Sequence, residues 1–210
     1  MPDILTINSF KGGTSKTTLA LNLYHYYSKI LGKKVALADN DPQGSLTEVA
    51  ESRKDILFIY RENIEAWKDL LNISKKELDL IIIDTPPSLI NDLEEIYDIS
   101  NFILIPFNAG TLDLRSMNNT IELFYNVQTR NPNLKGAVIL TRGIHGTTLN
   151  QDVLNATKNY GLPILETQLM SRVDYVKSLE EEKGIFSTGN GKAKREIKKI
   201  GTEILRIWKT

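Results

Sequence analysis

The residues best suited to chemistry lie near the amino terminus, in a glycine-rich stretch at positions 8–18 that reads NSFKGGTSKTT. Adjacent glycines let a backbone turn tightly and aim successive N–H groups into one hollow, which binds a phosphate group at the start of a helix. Lys16 would then reach the β- and γ-phosphates of a nucleotide, and the Thr17 hydroxyl would be a ligand of Mg²⁺. The stretch therefore predicts a phosphate-binding loop, called the phosphate loop below.

Two later segments supply carboxylates. Asp39 and Asp41 are two residues apart in an extended segment, so their side chains are expected to point the same way. Asp84 follows the apolar run Leu80–Ile83, and a carboxylate at the tip of a buried strand is costly to desolvate unless it meets a cation or hydrogen-bond donors. Mg²⁺ with its bound water meets that requirement. The aspartates are therefore candidates for a metal and phosphate site.

Hydrophobic patterning predicts the elements that must position these residues. Asp3–Ile7 precedes the phosphate loop as a strand, and Thr17–Ile30 follows it with apolar side chains at helical spacing. Further strands are predicted at 35–38, 56–60, 80–83, 102–105, 137–140 and 163–165, and helices at 64–71, 112–128, 150–160 and on either side of 187–191 in the tail. This alternation predicts an α/β fold, with a doubly wound, mostly parallel sheet and helices on both faces, in a single domain over residues 1–210. Ligands of such sheets lie at the carboxyl ends of the strands, where the phosphate loop and the aspartates fall.

Composition narrows the class of protein. With 41% hydrophobic and 25% charged residues, the 210-residue chain resembles an ordinary globular domain. It contains no cysteine, which excludes disulfides, thiolate zinc sites and cysteine-bound iron–sulfur clusters. The amino terminus lacks a signal-type pattern and no apolar run is long enough to span a membrane, so a cytoplasmic location is expected. The formal net charge is zero, so only the distribution of charge can indicate a nucleic-acid partner.

An additional lysine, Lys11, precedes the first glycine, and with it the phosphate loop resembles the deviant loop K-G-G-x-G-K-[ST]-[ST] of the ParA/MinD ATPases, which are P-loop NTPases. The resemblance implies that Lys11 reaches across a dimer to the nucleotide of the other subunit. Ser15 stands where the family has glycine; at a negative φ it would cost little, and its hydroxyl could donate to a phosphate oxygen. The nucleotide-binding residues implied are Lys11, Gly12, Gly13, Thr14, Ser15, Lys16, Thr17 and Thr18.

The carboxylate segments resemble the same family. Residues 39–44 match its D-x-D-P-Q-G segment and residues 80–87 its Walker B segment. By this resemblance Asp41 orients and activates the attacking water, and Asp39 and Asp84 lie around the metal beyond its direct ligand Thr17. The implied activity is Mg²⁺-dependent hydrolysis of ATP within a face-to-face dimer, with Lys11, Lys16 and Asp41 as catalytic residues. Arg142 follows the sixth predicted strand, where the family contacts adenine; it either stacks on the purine or is a solvated charge.

The carboxyl-terminal part, at 170–179 and 194–197, resembles that of small plasmid-type ParA partition proteins. The resemblance implies a switch in which ATP joins two subunits and the homodimer coats DNA without sequence preference. A centromere-binding, ParB-like adaptor protein then triggers hydrolysis and release. The location implied for the ATP-bound form is the nucleoid.

A cluster of cations supports the DNA step. Five cationic side chains and one carboxylate, Glu196, fall within eight residues, a local net charge of +4. Such a cluster can displace counterions from DNA phosphates, although an ordinary solvated helix face has the same composition. The cations, called the basic cluster below, are Lys192, Lys194, Arg195, Lys198 and Lys199.

The same tail supports a second hypothesis. An apolar stripe lies beside the basic cluster, as in a membrane-surface helix of the MinD type, but also as in a helix docked on a sheet. DNA partitioning without stable membrane association is the first hypothesis and a membrane-associated positioning ATPase is the alternative. A metabolic or metal-cluster carrier comes third, because the chain lacks cysteine. The stripe consists of Ile197, Ile200, Ile204, Leu205, Ile207 and Trp208.

Overall fold

The computed structural model describes residues 2–40, 58–60, 77–87, 93–108, 111–143, 160–181 and 183–210, with the backbone alone at 58–60 and 111–114. Within these residues seven strands form one parallel sheet of order β3-β2-β4-β1-β5-β6-β7. The strands are β1 (Asp3–Ile7), β2 (Val35–Asp39), β3 (Phe58–Tyr60), β4 (Leu80–Asp84), β5 (Phe102–Asn108), β6 (Lys135–Gly143) and β7 (Leu169–Met170). The order reverses at β1, which confirms the predicted doubly wound α/β class.

Five α-helices lie in the described part of the chain, and α1 continues as a π-helical segment, Tyr26–Ile30. They are α1 (Lys16–His25), α2 (Leu93–Ile99), α3 (Thr111–Gln128), α4 (Val173–Glu180) and α5 (Gly191–Trp208). A 3₁₀ turn, Ile185–Ser187, connects α4 to α5. Helices α1, α4 and α5 share a core with one face of the sheet, and α2 and α3 cover the other.

Strand β5 shows how the sequence builds these layers. Leu104 packs in the core beneath α1 and α5, whereas Ile103 and Ile105 pack beneath α2 and α3. Successive side chains of a strand point to opposite faces, so a strand covered on both faces must be apolar throughout. This explains the continuous apolar runs from which the strands were predicted.

The structure departs from the prediction at the last strand. Around 163–165 only a single bridge joins Ile164 to Val138, and the paired strand is β7, further along the chain. Pro163 has no N–H to donate, so a regular ladder cannot extend through it. The predicted helix at 64–71 and almost all of that at 150–160 lie outside the described residues. Helix α2 was not predicted, although Leu93, Ile96 and Tyr97 are buried at helical spacing.

The apolar stripe of α5 lies on the sheet. Ile197, Ile200 and Ile204 are fully buried, and the Trp208 ring packs 5.3 Å from that of Phe102. Gly201 permits the close approach of this helix, because a Cβ there would lie 2.4 Å from the Tyr26 ring. The stripe is therefore covered by the protein itself, as in a docked terminal helix. No helix among the described residues is both long and apolar enough to cross a membrane.

Helix α5 runs antiparallel to the strands. It begins after Asn190, whose side-chain oxygen accepts hydrogen bonds from the N–H groups of the first turn. Near this end Glu196 accepts from the Met170 N–H, at the end of β7, and Trp208 at the other end meets the first residue of β5. The basic cluster therefore lies toward the carboxyl edge of the sheet, the edge that carries the phosphate loop.

Candidate nucleotide-binding site

A buried polar network fixes the base of the phosphate loop. Asn8, the first residue after β1, donates from Nδ2 to the Tyr97 hydroxyl at 2.9 Å and accepts at Oδ1 from the Thr85 hydroxyl at 2.8 Å. Its backbone N–H donates to Leu104 O at 3.1 Å. Burial raises the pKa of Tyr97 well above its usual value, so the hydroxyl stays neutral. The network joins β1, β4, β5 and α2, so the loop starts from a rigid support.

Lys16 places its ammonium group inside the phosphate loop. The side chain is buried, and Nζ donates to Ser9 O at 3.2 Å and to Lys11 O at 3.1 Å. Lys11 itself is half-buried. Because carbonyl oxygens of the loop hold this ammonium group, the cation is already in place for an anion that enters the loop. The phosphate-binding role of Lys16 stays a prediction, and this geometry is compatible with it.

Two residues of the phosphate loop have left-handed backbones, Gly13 with φ 72° and Ser15 with φ 70°. Such alternation curls a backbone into a nest of N–H groups, as predicted. The low cost expected for Ser15 assumed a negative φ, and the structure corrects that expectation. A non-glycine residue in this region carries a strain of about 1–2 kcal/mol.

We therefore expect Ser15→Gly to increase the free energy of unfolding by about 1 kcal/mol, because glycine adopts a positive φ without strain but loses more backbone entropy on folding. Urea denaturation of the nucleotide-free protein measures the change. Ser15→Ala is the matched control and should bring no gain, since alanine keeps the Cβ that causes the strain. Equal stability of the glycine variant and the wild type would contradict the strain.

Oxygen ligands suited to Mg²⁺ meet beside the loop. The Thr17 hydroxyl donates to Asp84 Oδ2 at 2.7 Å, and Asp39 lies opposite Asp84 in the register of β2 and β4. Both carboxylates are buried. Within the described residues no group of three or more Asp, Glu, His or Cys could hold a metal ion. Mg²⁺ commonly binds through one or two carboxylates and takes further ligands from phosphate and water. The donor set therefore fits the predicted cofactor.

The structure brings together most of the predicted site residues. Lys11, Lys16, Thr17, Asp39 and Asp84 converge at the carboxyl ends of β1, β2 and β4. Asp41, the residue predicted to activate water, lies outside the described residues. Within the loop Thr14 is buried and Thr18 half-buried, and Gly12 has open space around it.

Arg142 lies against the phosphate loop from the end of β6. Its two terminal nitrogens are 3.7 and 3.9 Å from the point where a Cβ on Gly13 would be. Its backbone is left-handed, with φ 53°, and strained residues concentrate at functional sites. The side chain is exposed beside Gly13, a position from which it can contact a nucleotide in the loop and in which its charge is also solvated, so both predicted roles stay open.

Sequence reasoning missed several polar residues that hold the loop. Asn8, Asn108 and Thr141 each follow or end an apolar run, and each contacts the loop or its base. A polar residue at the end of a buried strand was the available signal. Their partners are distant in sequence, so the contacts themselves could not be predicted.

The basic cluster is on the solvent side of α5, where Lys194 is half-buried and the other four cations are exposed. Glu196 is instead buried and forms an ion pair with Arg172 at 2.7 Å. The charge of Arg172 therefore neutralises the one carboxylate that was counted against the basic cluster. The exposed surface at this end of α5 is more uniformly positive than the sequence count indicates.

Comparisons with known proteins identify the family of the chain. The family described as the CobQ/CobB/MinD/ParA nucleotide binding domain matches residues 5–185. The chain is 27% identical over 209 residues to the "Maintenance of carboxysome distribution protein A" of Halothiobacillus neapolitanus, covering 96% of this chain and 95% of that protein. It is 24% identical over 247 residues to the virulence plasmid ParA family protein pGP5-D of Chlamydia trachomatis, covering 97% and 94%.

A solved structure of similar fold is described as a plasmid partition protein of Borrelia burgdorferi bound to AMPPNP. Its TM-score is 0.76 at 23% identity, with 98% of this chain and 99% of that chain covered. A second solved structure of similar fold, the cobyrinic acid a,c-diamide synthase of Mycobacterium smegmatis, is described with a bound ATP analogue and magnesium; its TM-score is 0.77 at 24% identity, with 100% of this chain and 97% of that chain covered. The family match spans the phosphate loop and both aspartate-bearing strands, so the chain belongs to the CobQ/CobB/MinD/ParA nucleotide-binding family, whose members are P-loop ATPases.

Proposed function

We propose that this protein is an ATP-hydrolysing DNA-segregation protein of the ParA type. ATP joins two copies of the chain, the dimer binds DNA without sequence preference, and a centromere-binding adaptor protein stimulates hydrolysis and release. The observation that carries the proposal is the convergence of Lys16, Thr17 and Asp84 at the phosphate loop, on the sheet edge toward which the basic cluster also lies. Proteins of this family generally form dimers and work with partner proteins, which supports the proposed switch.

In this proposal each residue of the site has a distinct task. Backbone N–H groups of the phosphate loop and the Lys16 ammonium group bind the phosphates, and Lys11 reaches the nucleotide of the other subunit. Thr17, Asp39 and Asp84 would hold Mg²⁺, which stabilises the charge that develops on the phosphate oxygens. Asp41 orients the attacking water, and Arg142 contacts the nucleotide from the end of β6.

DNA binding is assigned to the basic cluster. Its exposed side chains are Lys192, Arg195, Lys198 and Lys199, with Lys194 at their edge. The phosphate loop and this surface both lie toward the carboxyl edge of the sheet, which supports a link between ATP binding and DNA binding. Relatives named for plasmid ParA proteins support DNA as the partner. The alternative, a MinD-like membrane-associated ATPase, has less support, because the apolar stripe of α5 packs in the core.

We expect Lys198→Ala/Lys199→Ala to weaken binding of random-sequence duplex DNA at least about tenfold at 0.1 M salt, with ATP and Mg²⁺ present. If both lysines contact phosphates, the slope of log K against log[salt] should also fall by about 2. Fluorescence anisotropy of a labelled duplex over a salt series measures both quantities.

The matched control is Lys33→Ala/Lys34→Ala, which removes the same charge just before β2, at the opposite edge of the sheet. This variant should bind DNA like the wild type. An equal loss of DNA affinity in both variants would show that only net charge matters. It would contradict the assignment of DNA binding to the basic cluster. Binding to anionic vesicles, together with no binding to DNA, would instead favour the membrane-associated alternative.

A further inference from the structure

The carboxyl ends of β5 and β6 carry a pair of polar residues that contact the phosphate loop. Asn108 is the last residue of β5 and lies opposite Thr141 of β6 in the strand register. Thr141 is fully buried and Asn108 is half-buried. Burying a hydroxyl without a hydrogen bond is costly, so the partners of Thr141 are informative.

These two side chains reach the backbone of the phosphate loop. Thr141 Oγ1 lies 3.1 Å from Thr14 O, 3.1 Å from Phe107 O and 2.8 Å from Asn108 Oδ1. Asn108 Nδ2 donates to Gly13 O at 3.4 Å. A hydroxyl carries one proton, so Thr141 shares it among three acceptors. The pair therefore contacts two consecutive carbonyl groups of the loop.

Holding a carbonyl group also fixes the direction of the neighbouring amide. In a planar trans peptide the N–H of the next residue points opposite to the C=O. With Gly13 O and Thr14 O held toward β5 and β6, the N–H groups of Thr14 and Ser15 point away from these strands, toward the open side of the loop. A phosphate group binds to N–H groups that are aimed in this way.

We propose that Thr141, together with Asn108, is a positioning residue for phosphate binding, which fixes the N–H groups of Thr14 and Ser15 in the direction that the phosphates require. The inference rests on the proposed nucleotide-binding function of the loop. According to this inference, residues of β5 and β6, outside the loop sequence, also contribute to phosphate binding. The left-handed backbone of Ser15 agrees with it, because an anchored carbonyl just before that residue helps to maintain the strained turn.

The test compares Thr141→Val, which keeps the shape of the side chain but removes the hydroxyl, with Thr141→Ser, which keeps the hydroxyl. The affinity for a fluorescent, non-hydrolysable ATP analogue with Mg²⁺ is measured for each full-length variant, beside its unfolding midpoint in urea. We expect about tenfold weaker binding by the valine variant, the loss of roughly one hydrogen bond, and near wild-type binding by the serine variant.

Thr6→Val is the matched control. Thr6 is a fully buried residue of β1 whose hydroxyl contacts Ser100 at 2.7 Å and does not reach the loop. The two valine variants lose a buried hydroxyl alike, but only Thr141→Val should lose affinity for the analogue. Should both retain wild-type affinity, or both lose it in proportion to their stability, Thr141 would be merely structural and the inference would fall.

Asn108→Ala supplies an independent test if Thr141→Val does not fold. Asn108 is half-buried, so its truncation is tolerated better, and affinity for the analogue should fall about threefold with little change in the unfolding midpoint. Unchanged affinity would contradict the proposal. Failure of the wild type itself to bind the analogue would overturn the proposed function, whereas wild-type binding that is insensitive to these variants would overturn only this inference.

Discussion

Replacing Lys16 with alanine is expected to lower ATP turnover by about 10²–10³-fold, the usual effect of removing one preorganised donor from a site of developing charge. The side chain is buried and its ammonium group already lies among carbonyl oxygens of the phosphate loop, so little reorganisation is needed when phosphate enters. The affinity for ATP should fall as well, since in the proposed function Lys16 contacts phosphate before and during the reaction.

Release of phosphate by the purified protein with ATP and Mg²⁺ measures this effect. Lys33→Ala is the control, because it removes the same charge at the amino edge of the sheet. Circular dichroism establishes that both variants are folded. Turnover within threefold of the wild type in Lys16→Ala would mean that the ammonium group seen inside the loop does not serve catalysis.

Replacing Asp84 with asparagine is expected to reduce Mg²⁺-dependent turnover by about 10²-fold. The change removes the charge but leaves an amide oxygen that can still accept from the Thr17 hydroxyl, now 2.7 Å from Asp84 Oδ2. The stability of the nucleotide-free protein should therefore change little, because a buried charge is lost while its hydrogen bond is retained. Loss of activity with retained stability would identify a role in holding the metal.

Asp79→Asn is a matched control next to the same strand. Asp79 lies just before β4 and accepts from the Lys34 N–H, whereas Asp84 is the last residue of β4. Only the variant at the carboxyl end should need a higher Mg²⁺ concentration for half-maximal turnover. The same Mg²⁺ dependence in Asp84→Asn as in the wild type would remove this aspartate from the metal site.

The sequence was sufficient for the parts of the site that depend on local pattern. Lys16, Thr17 and Asp84 follow or precede buried apolar runs, and parallel strands bring their carboxyl ends to one edge, so convergence could be predicted. The contacts of Thr141 and Asn108 could not, because they join residues up to 127 positions apart through the register of β5 and β6. The left-handed backbone of Ser15 was also not predicted, since non-glycine residues seldom adopt a positive φ.

The apolar stripe of α5 shows a second limit of prediction from sequence. An apolar stripe beside lysines fits either a membrane surface or the face of a sheet, and periodicity is the same in both cases. The structure decides through shape: the missing side chain of Gly201 admits the Tyr26 ring, and Trp208 fits against Phe102. The shape complementarity of two segments more than 100 positions apart cannot be predicted from the hydrophobic pattern of either segment alone.

The ion pair of Glu196 with Arg172 has a mechanical consequence. Helix α5 has 18 residues and so is about 27 Å long at about 1.5 Å per residue. Near one end α5 forms the ion pair with Arg172, which follows β7. At the other end Trp208 packs against Phe102 at the start of β5. A force applied to the exposed lysines of α5 is therefore transmitted to the sheet near both ends of the helix. In the proposed function, DNA that pulls on these lysines pulls on the entire subunit.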